Sequence, residues 1–540
     1  MKDNLALLDC TLRDGGYYNQ WDFQEEIVEN YLHSIAESGI EYVELGLRNF
    51  SKEGFLGAYA YTTELHLNSI ELPIGPKYGV MVDAKTILTS SLSVTSAIDE
   101  LFIPAENSKL SFVRVAAHFD EVEQCGPFVK HLKNLGYIVG FNLMQSGGKS
   151  SALITEKAKE IWAWSCVDVL YFADSLGNMN SNEVARIVAA LREGWNSLLG
   201  IHTHNNMGKG LDNTLAAMDL GVNWVDCTVT GMGRGAGNTQ TEILLAVLDT
   251  VEKKYKPKAI YKLVIHYFEK MQKQYGWGSN LLYFLGAQNE VHPTYIQNLL
   301  SNTHFGSSEV VGAIDYLNTI EGTSSYNGEI LNAALNFNNS SAEVLGSLDM
   351  ISLFEGREIL VLTNGPSTKR YKNAIEIYIR QKKPIVIAIN LVDGVSPELI
   401  DYHVISHNTK YLSDSERYKN LRGSLILPKH RFSTDELASL KSLKLFDYGL
   451  SVEDKVFSIE EKFVTIPHDV TVGYILGALN TGNAKNIGFV GLDGYGMGDI
   501  RQQEMVNIFT LYSQIKNACP IKSLTPTTYP IVRSSIYDTN

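Results

Sequence analysis

The feature of this sequence that most limits its fold is a series of short, β-rich runs separated by segments with helical periodicity. Eight such runs occupy the first half of the chain: LALLDC from Leu5, YVELGL from Tyr42, YGVMV from Tyr78, FVRVAA from Phe112, YIVGFNLM from Tyr137, VDVLYFAD from Val167, LLGIHTH from Leu198 and WVDCTVTG from Trp224. Several of the segments between them end in glycine, a common residue at the C-cap of a helix. Eight βα units in the roughly 250 residues typical of a TIM barrel predict a (β/α)8 barrel. An open, doubly wound parallel sheet is the alternative.

The second half of the chain has a different order of predicted elements. Strand-like runs stop after Val251 and helical segments follow, and βα alternation resumes near Gly356 with EILVLTNG, PIVIAIN, YHVISH, GSLILP and IGFVGLDG. A chain of 540 residues is too long for one hydrophobic core. We therefore predict a barrel over residues 1–250, a helical extension over 251–350 and a Rossmann-like α/β domain over 351–540.

Composition excludes several functional classes. Hydrophobic residues make up 44% of the chain and charged residues 20%, as in soluble globular proteins. The formal net charge of -14 argues against a nucleic-acid partner, because phosphate neutralisation needs a basic face. The five cysteines are scattered and form no CxxC pair, which favours a reducing compartment. The N-terminal segment has no signal-like apolar region and no run approaches the roughly 20 apolar residues of a membrane span, so we expect a cytoplasmic protein.

Residues with metal-ligand chemistry follow two of the predicted strands. Asp14 follows the first run in DCTLRDGG, where Gly15 and Gly16 are expected to let the backbone turn sharply. His202 and His204 are two residues apart in GIHTH, so on an extended strand both side chains project to one face. An isolated HxH strand is more typical of an ordinary buried pair. Its coincidence with the Asp14 segment at the catalytic end of a barrel instead predicts a divalent-metal site with positions left for substrate and water.

A glycine-rich segment follows the eighth run. The sequence GMGRGAGN, Gly231 to Asn238, allows close approach of the backbone to an anion or a metal, although a tight structural loop would have the same composition. Asn238 is a candidate for a further oxygen ligand.

The run DCTLRDGG, together with HTHNNMGKGLDNTLAAMDLGVNWVDCTVTGMGRGAGN, closely resembles barrel metalloenzymes that include 4-hydroxy-2-oxovalerate aldolase, hydroxymethylglutaryl-CoA lyase and isopropylmalate synthase. The similarity extends over roughly residues 7–248. It implies that a Mn or Mg ion is held by Asp14, His202 and His204, with Asn238 at a position that is a ligand in the lyase branch. It also implies that Arg13 stabilises an enolate.

The resemblance fails at the expected catalytic base. In the oxovalerate aldolases a histidine follows the RDG motif, and Tyr17 stands at that position here. Tyr17 is thus a candidate catalytic residue, although a reference pKa near 10 makes tyrosine a poor base. A metal-bound water, His118, Tyr275 or Tyr283 are the alternatives.

Three other residues at predicted strand ends have candidate supporting roles. Glu44 and Asp174 are candidates for orienting ligands through hydrogen bonds, and Arg114 for holding a substrate carboxylate, although a purely structural role fits each of them equally well.

The C-terminal domain carries a second resemblance. NGPS from Asn364, HDVTVGYILGALNTGNAKNIGFVGLDGY and SLTPTTY resemble bacterial sialyltransferases that use CMP-sugars. This implies that Asn364, Ser367 and Asp493 contact a nucleotide or nucleotide-sugar. Neither GxGxxG nor a P-loop is present. A domain that kept this fold without transferase activity fits equally well.

Together these patterns predict an enzyme, a metal-dependent aldolase (a carbon–carbon lyase) acting on pyruvate or a related 2-oxo acid and an aldehyde. Fusion to the second domain suggests a role in sugar or surface-glycan biosynthesis. The alternatives are a Claisen-type acyl-CoA synthase or lyase, and a nucleotide-sugar-binding or glycosyltransferase-like protein with a scaffold barrel. Homo-oligomerisation stays open.

Overall fold

The computed structural model describes residues 5–250, 254–301, 307–331, 344–347, 350–421, 423–496 and 499–538. The chain forms two compact units: unit 1 is Met1–Asn298 with Glu321–Tyr326, and unit 2 is Leu299–Ile320 with Asn327–Asn540. The predicted division into barrel, helical extension and C-terminal domain stays a prediction. Of the predicted extension, residues 251–253, 302–306, 332–343 and 348–349 lie outside the described residues.

Unit 1 contains eight parallel strands. They are β1 Ala6–Asp9, β2 Tyr42–Leu47, β3 Lys77–Asp83, β4 Phe112–Ala117, β5 Ile138–Leu143, β6 Val169–Asp174, β7 Leu198–Thr203 and β8 Trp224–Cys227. They form a closed barrel in chain order, in which β8 pairs with β1 and Trp224 lies beside Ala6. The predicted (β/α)8 barrel is confirmed, and the open-sheet alternative is wrong.

Helices surround the barrel and continue beyond it. They are Thr11–Asn19, Glu25–Ser38, Glu64–Ser69, Ala84–Leu88, Val94–Leu101, Val122–Asn134, Ser151–Ala163, Ser181–Arg192, Gly210–Asp219, Thr241–Asp249, Pro257–Leu263, Glu269–Tyr275, Leu281–Gln288 and Pro293–Ser301, with a π-helical turn at Val264–Phe268. Glu25–Ser38 shows why such segments are helical: Ile27, Tyr31 and Ile35 are buried on one face, and Gly39 ends the helix with φ 85°.

The segment after β1 differs from the prediction. The strand ends at Asp9, and Arg13, Asp14, Gly15 and Gly16 all lie in the helix Thr11–Asn19. The glycines permit close packing instead of a sharp turn. A Cβ atom at Gly15 would lie 2.7 Å from Sδ of Met232, and one at Gly16 would lie 2.0 Å from the Trp21 ring.

Unit 2 has a parallel sheet and a small second sheet. The strands are β9 Glu358–Leu362, β10 Ile385–Ile389, β11 Tyr402–Val404, β12 Ser424–Leu427, β13 Lys444–Asp447, β14 Gly449–Val452, β15 Ser458–Ile459, β16 Phe463–Ile466, β17 Asn486–Val490, β18 Ile521–Ser523 and β19 Val532–Arg533. The eight-stranded parallel sheet has the order β13-β12-β11-β10-β9-β17-β18-β19, and the small sheet has the order β14-β16-β15.

Helices also connect the strands of unit 2. The described α-helices after residue 301 are Ser307–Leu317, Ile351–Phe354, Pro366–Arg370, Lys372–Lys382, Asn408–Ser413, Ser415–Lys419, Thr434–Ser439, Thr471–Thr481 and Ile500–Ser513. The predicted α/β alternation is therefore confirmed as a parallel sheet with helices. None of the described helices is both long and apolar enough to cross a membrane.

Candidate metal centre

Asp14, His202 and His204 meet at the end of the barrel where the strands finish. Their ligand atoms all lie within 4.8 Å of one another. Oδ2 of Asp14 is 3.5 Å from Nε2 of His202 and 3.8 Å from Nε2 of His204. All three side chains are buried. The helix after β1, the strand β7 and the residue that directly follows β7 thus bring together the three residues predicted as ligands.

Both imidazoles are held so that Nε2 faces Asp14. Nδ1 of His202 lies 2.8 Å from Oδ2 of Asp226, and Nδ1 of His204 lies 2.9 Å from the backbone oxygen of Asp174. Because ionised carboxylates and carbonyl oxygens only accept hydrogen bonds, each Nδ1 is assigned the proton and each Nε2 keeps its lone pair. This is the arrangement that a carboxylate or a carbonyl gives to a metal-binding histidine.

The centre contains polar atoms that protein groups leave unpaired. Among the described residues, Nε2 of His204 and Oδ1 of Asn238 are buried without a hydrogen-bond partner. Nδ2 of Asn238 donates to Oδ2 of Asp14. Unpaired buried acceptors cost free energy, and a divalent cation would engage both of them. The donor set therefore fits a metal ion.

The glycine-rich loop leaves space beside these oxygens. A Cβ atom at Gly233 would lie 2.9 Å from Oδ2 of Asp14 and 2.7 Å from Oδ1 of Asn238. Any larger residue would therefore collide with the candidate ligands. Asn238 and Asp14 are brought together as predicted for a shared site.

The protonation states also suit a cation. Burial acts to raise the pKa of the Asp14 carboxyl, but the Arg13 guanidinium and the two imidazoles outweigh it and hold that pKa well below its usual range. Burial, assisted by His202, lowers the pKa of His204 to about 3. Metal binding requires an ionised carboxylate and a neutral imidazole, which are the forms that these shifts favour for Asp14 and His204 near neutral pH. At His202 burial acts to lower the pKa, but the hydrogen bonds to Asp14 and Asp226 outweigh it and raise that pKa, so a cation there would have to displace a proton.

Arg13 is fixed by two carboxylates. Its Nη1 donates to Oδ1 of Asp14 at 2.8 Å, and its Nε donates to Oε2 of Glu44 at 2.7 Å. Two nitrogens of the guanidinium are thus anchored beside the candidate ligands.

A buried ion-pair chain continues from Glu44 to His202. Arg114 donates from Nε to Oε1 of Glu44 at 2.7 Å, from Nη2 to Oε2 of Glu44 at 2.6 Å and from Nη1 to Oδ2 of Asp226 at 2.6 Å. The same Asp226 oxygen is the partner of His202. Arg114 therefore orients protein carboxylates instead of meeting a substrate carboxylate, and Glu44 bonds the two arginines and no candidate ligand directly.

Tyr17 lies near the candidate metal centre and keeps its hydroxyl proton. Its ring centroid is 3.9 Å from Cζ of Arg234 and 4.9 Å from the ring centroid of Trp21. Burial raises the pKa of Tyr17, so the hydroxyl stays protonated near neutral pH. In this protonated form the hydroxyl can donate a proton or a hydrogen bond but cannot accept a proton.

The other candidate bases occupy different surroundings. The hydroxyl of Tyr283 is 2.9 Å from that of Tyr18, and Tyr18 also donates to the backbone oxygen of Gly235. His118 is exposed, and Tyr275 is half-buried against the barrel core.

Sequence reasoning missed three residues at this end of the barrel. Asp226 orients His202, while Arg234 and His292 approach each other within 3.4 Å. Asp226 could have been found, because it follows Val225 on a strand whose alternate residues point into the barrel. His292 carried no such signal, since it comes from a segment almost 60 positions beyond Arg234 in the chain.

In unit 2, Ser367 and Asp493 are in contact. The backbone N–H and the hydroxyl of Ser367 donate to Oδ2 of Asp493 at 3.2 and 2.8 Å. Asn364 instead donates to the backbone oxygen of Leu391 at 2.6 Å. All three residues follow the carboxyl ends of neighbouring strands, Asn364 and Ser367 after β9 and Asp493 after β17.

Comparison with known proteins agrees with the barrel geometry. Residues 4–264 match the HMGL-like family. The 4-hydroxy-2-oxovalerate aldolase of Bacillus cereus (strain ATCC 10987 / NRS 248) is 30% identical over 267 residues, which cover 49% of this chain and 74% of that protein. The chain belongs to the HMGL-like family.

Two further relatives support this membership. The 4-hydroxy-2-oxovalerate aldolase of Pelotomaculum thermopropionicum is 32% identical over 249 residues, covering 45% of this chain and 70% of that protein. A crystal structure of the N-terminal domain of a candidate aldolase from Bacteroides vulgatus is 29% identical with a TM-score of 0.51, covering 56% of this chain and 98% of that chain. The chain is thus an enzyme of a carbon–carbon lyase family. The sialyltransferase resemblance of the second unit is not confirmed, because the family match ends at residue 264.

Proposed function

We propose that this enzyme is a divalent-metal-dependent aldolase that forms or cleaves a carbon–carbon bond between pyruvate, or a related 2-oxo acid, and an aldehyde. The observation that carries the proposal is the convergence of Asp14, His202 and His204 beside the doubly anchored Arg13. The curated relatives named 4-hydroxy-2-oxovalerate aldolase support the same reaction class. Mn and Mg are the proposed ions, with Asn238 as a further ligand.

The chemistry requires a carbanion equivalent next to the keto group. A bound divalent ion supplies Lewis acidity toward the oxygens of the 2-oxo acid. Arg13 stays protonated at any working pH, and its two ion pairs hold the guanidinium at a fixed orientation. A fixed cation in a buried site stabilises the negative charge that develops on the enolate oxygen.

Tyr17 supplies a proton at the other reacting group. In the condensation direction the aldehyde oxygen gains negative charge and must be protonated. The Tyr17 hydroxyl, whose pKa is raised by burial, holds a proton for that step. In condensation this assigns Tyr17 the role of an acid, in place of the base expected from its position after the RDG motif, and in cleavage the same oxygen takes that proton back.

Wild-type enzyme is expected to exchange the methyl protons of pyruvate with deuterium in D2O when Mn or Mg is added. The reason is that enolate formation precedes attack on the aldehyde, so exchange needs no second substrate. Loss of the methyl signal is followed by proton NMR, with chelator-treated enzyme as the control. Absence of metal-dependent exchange would argue against aldolase function, and thiol release from acetyl-CoA in the presence of a 2-oxo acid would favour a Claisen-type enzyme.

We also propose that unit 2 is a Rossmann-like domain that binds a nucleotide or nucleotide-sugar, which would connect the aldolase to sugar or surface-glycan biosynthesis. The contact of Ser367 with Asp493 at the ends of adjacent strands supports this, because open parallel sheets bind ligands outside the carboxyl ends of their strands.

CMP is expected to bind wild-type enzyme in calorimetric titrations, and Asp493→Ala is expected to weaken binding by roughly 10-fold, the value of one charge-assisted hydrogen bond. Asp454→Ala, which changes an exposed aspartate of the same unit, is the matched control. Equal affinity in both variants would contradict the assigned site.

A further inference from the structure

Arg234 is a cation without an anionic partner at the mouth of the barrel. It lies in the glycine-rich loop between Gly231 and Asn238, and its side chain is half-buried. Among the described residues no carboxylate lies within ion-pair distance of its guanidinium, and its Nε is buried without a hydrogen-bond partner. This contrasts with Arg13 and Arg114, whose guanidinium groups are bound to buried carboxylates. A partly buried charge without a partner is costly unless a ligand compensates it.

The protein holds Arg234 in place by contacts that leave its charge available. The guanidinium carbon lies 3.9 Å from the centroid of the Tyr17 ring, a cation–π contact. Nη1 is 3.4 Å from Nε2 of His292. The loop itself packs closely on the His292 segment, since a Cβ atom at Gly235 would lie 2.9 Å from Cβ of Pro293. Arg234 is therefore positioned by a ring, an imidazole and a packed loop.

His292 is surrounded by donors. Its Nε2 faces Nη1 of Arg234, and its Nδ1 is 3.3 Å from the backbone N–H of Thr294. A neutral imidazole has one proton and one lone pair, so one of these two contacts joins two donors. Burial and the nearby Arg234 lower the pKa of His292 to about 2, so the ring is neutral. An anionic acceptor beside Arg234 would accept hydrogen bonds from the guanidinium and from an Nε2–H of His292.

We propose that Arg234 and His292 bind an anionic group, a carboxylate or a phosphate, at the far end of the aldehyde substrate. The inference rests on the proposed aldolase function. Arg234 contacts the ring of Tyr17, the residue assigned to protonate the aldehyde oxygen, so an anion held by Arg234 places the aldehyde beside the Tyr17 side chain. The 2-oxo acid has its own cation in Arg13, which is anchored to Asp14 beside the candidate ligands. The anion at Arg234 therefore belongs to the second substrate.

The test compares aldehydes that differ in charge but not much in length. Succinic semialdehyde carries a carboxylate, glyceraldehyde 3-phosphate carries a phosphate, and butanal carries no charge. Wild-type enzyme with pyruvate is expected to show a higher kcat/KM for one of the charged aldehydes, and the preferred one identifies the anion. Arg234→Met is expected to lower that kcat/KM by roughly 10- to 100-fold, mainly through KM, because a hydrogen-bonded ion pair is lost. The rate with butanal should change little.

Two controls separate this inference from the proposed function. Methyl-proton exchange of pyruvate needs no aldehyde, so it should persist in Arg234→Met. Arg234→Lys should retain part of the preference for the charged aldehyde, and Arg533→Met, at an exposed arginine, should behave as wild type. Failure of wild-type enzyme to exchange pyruvate protons would overturn the aldolase proposal. Normal exchange with a wild-type preference for butanal, or an equal loss for charged and neutral aldehydes in Arg234→Met, would overturn the Arg234 assignment alone. Loss of exchange in Arg234→Met would also overturn it, because Arg234 would then act on the 2-oxo acid.

Discussion

Asp14→Asn is expected to lower kcat/KM by at least about 1,000-fold, because Lewis-acid stabilisation worth several kcal/mol depends on this carboxylate. Oδ2 of Asp14 is the atom that both imidazole Nε2 atoms face. An amide is a neutral and weaker ligand, and its NH2 group would point a donor at a cation or at the imidazoles. The loss should appear in the aldol reaction and in pyruvate proton exchange, and Mn affinity measured by titration should fall with them.

The matched control for this change is Asp22→Asn. Asp22 lies just beyond the same helix, but its side chain is exposed. The Asp22→Asn variant should retain wild-type activity and metal affinity. Undiminished Mn affinity in Asp14→Asn, with a folded barrel by circular dichroism, would remove Asp14 from the ligand set.

The barrel could be predicted from the sequence because its determinants are local. Each strand is a short apolar run, and buried residues such as Ile27, Tyr31 and Ile35 recur at helical spacing between runs. The strands β13 and β18 escaped prediction for the converse reason. They contain Lys444 and Lys522 within runs of four and three residues, lengths at which alternation cannot be recognised.

The metal ligands could be predicted for a related reason, whereas the packing around them could not. His202 and His204 share a face because a strand alternates, which needs no tertiary information. The prediction of a sharp turn at Gly15 and Gly16 was wrong. Glycine is compatible both with a turn and with close packing, and only the positions of Met232 and Trp21 decide between them. His292 meets Arg234 through tertiary packing of the Pro293 segment on the glycine loop, which no local pattern encodes.

The charge of Arg13 is the second feature on which activity should depend strongly. Arg13→Lys is expected to lower kcat by about 100- to 1,000-fold, comparable to the loss of one donor to a developing oxyanion. Lysine keeps the positive charge, but a single ammonium cannot bond Asp14 and Glu44 from two nitrogens of one rigid plane as the guanidinium does. The enolate charge exists only along the reaction path, so KM should change much less than kcat.

Arg48, another buried arginine of the barrel, serves as the control for Arg13→Lys. Arg48 donates to the backbone oxygen of Leu101 and pairs with Glu64, so Arg48→Lys makes the same chemical change at an arginine whose partners are not candidate ligands. That variant should lose stability but keep kcat, whereas Arg13→Lys should lose kcat while Mn affinity stays close to wild type. Pyruvate exchange should slow in parallel with kcat, because both pass through the enolate. Slow turnover with undiminished exchange would instead assign Arg13 to the step in which the aldehyde reacts.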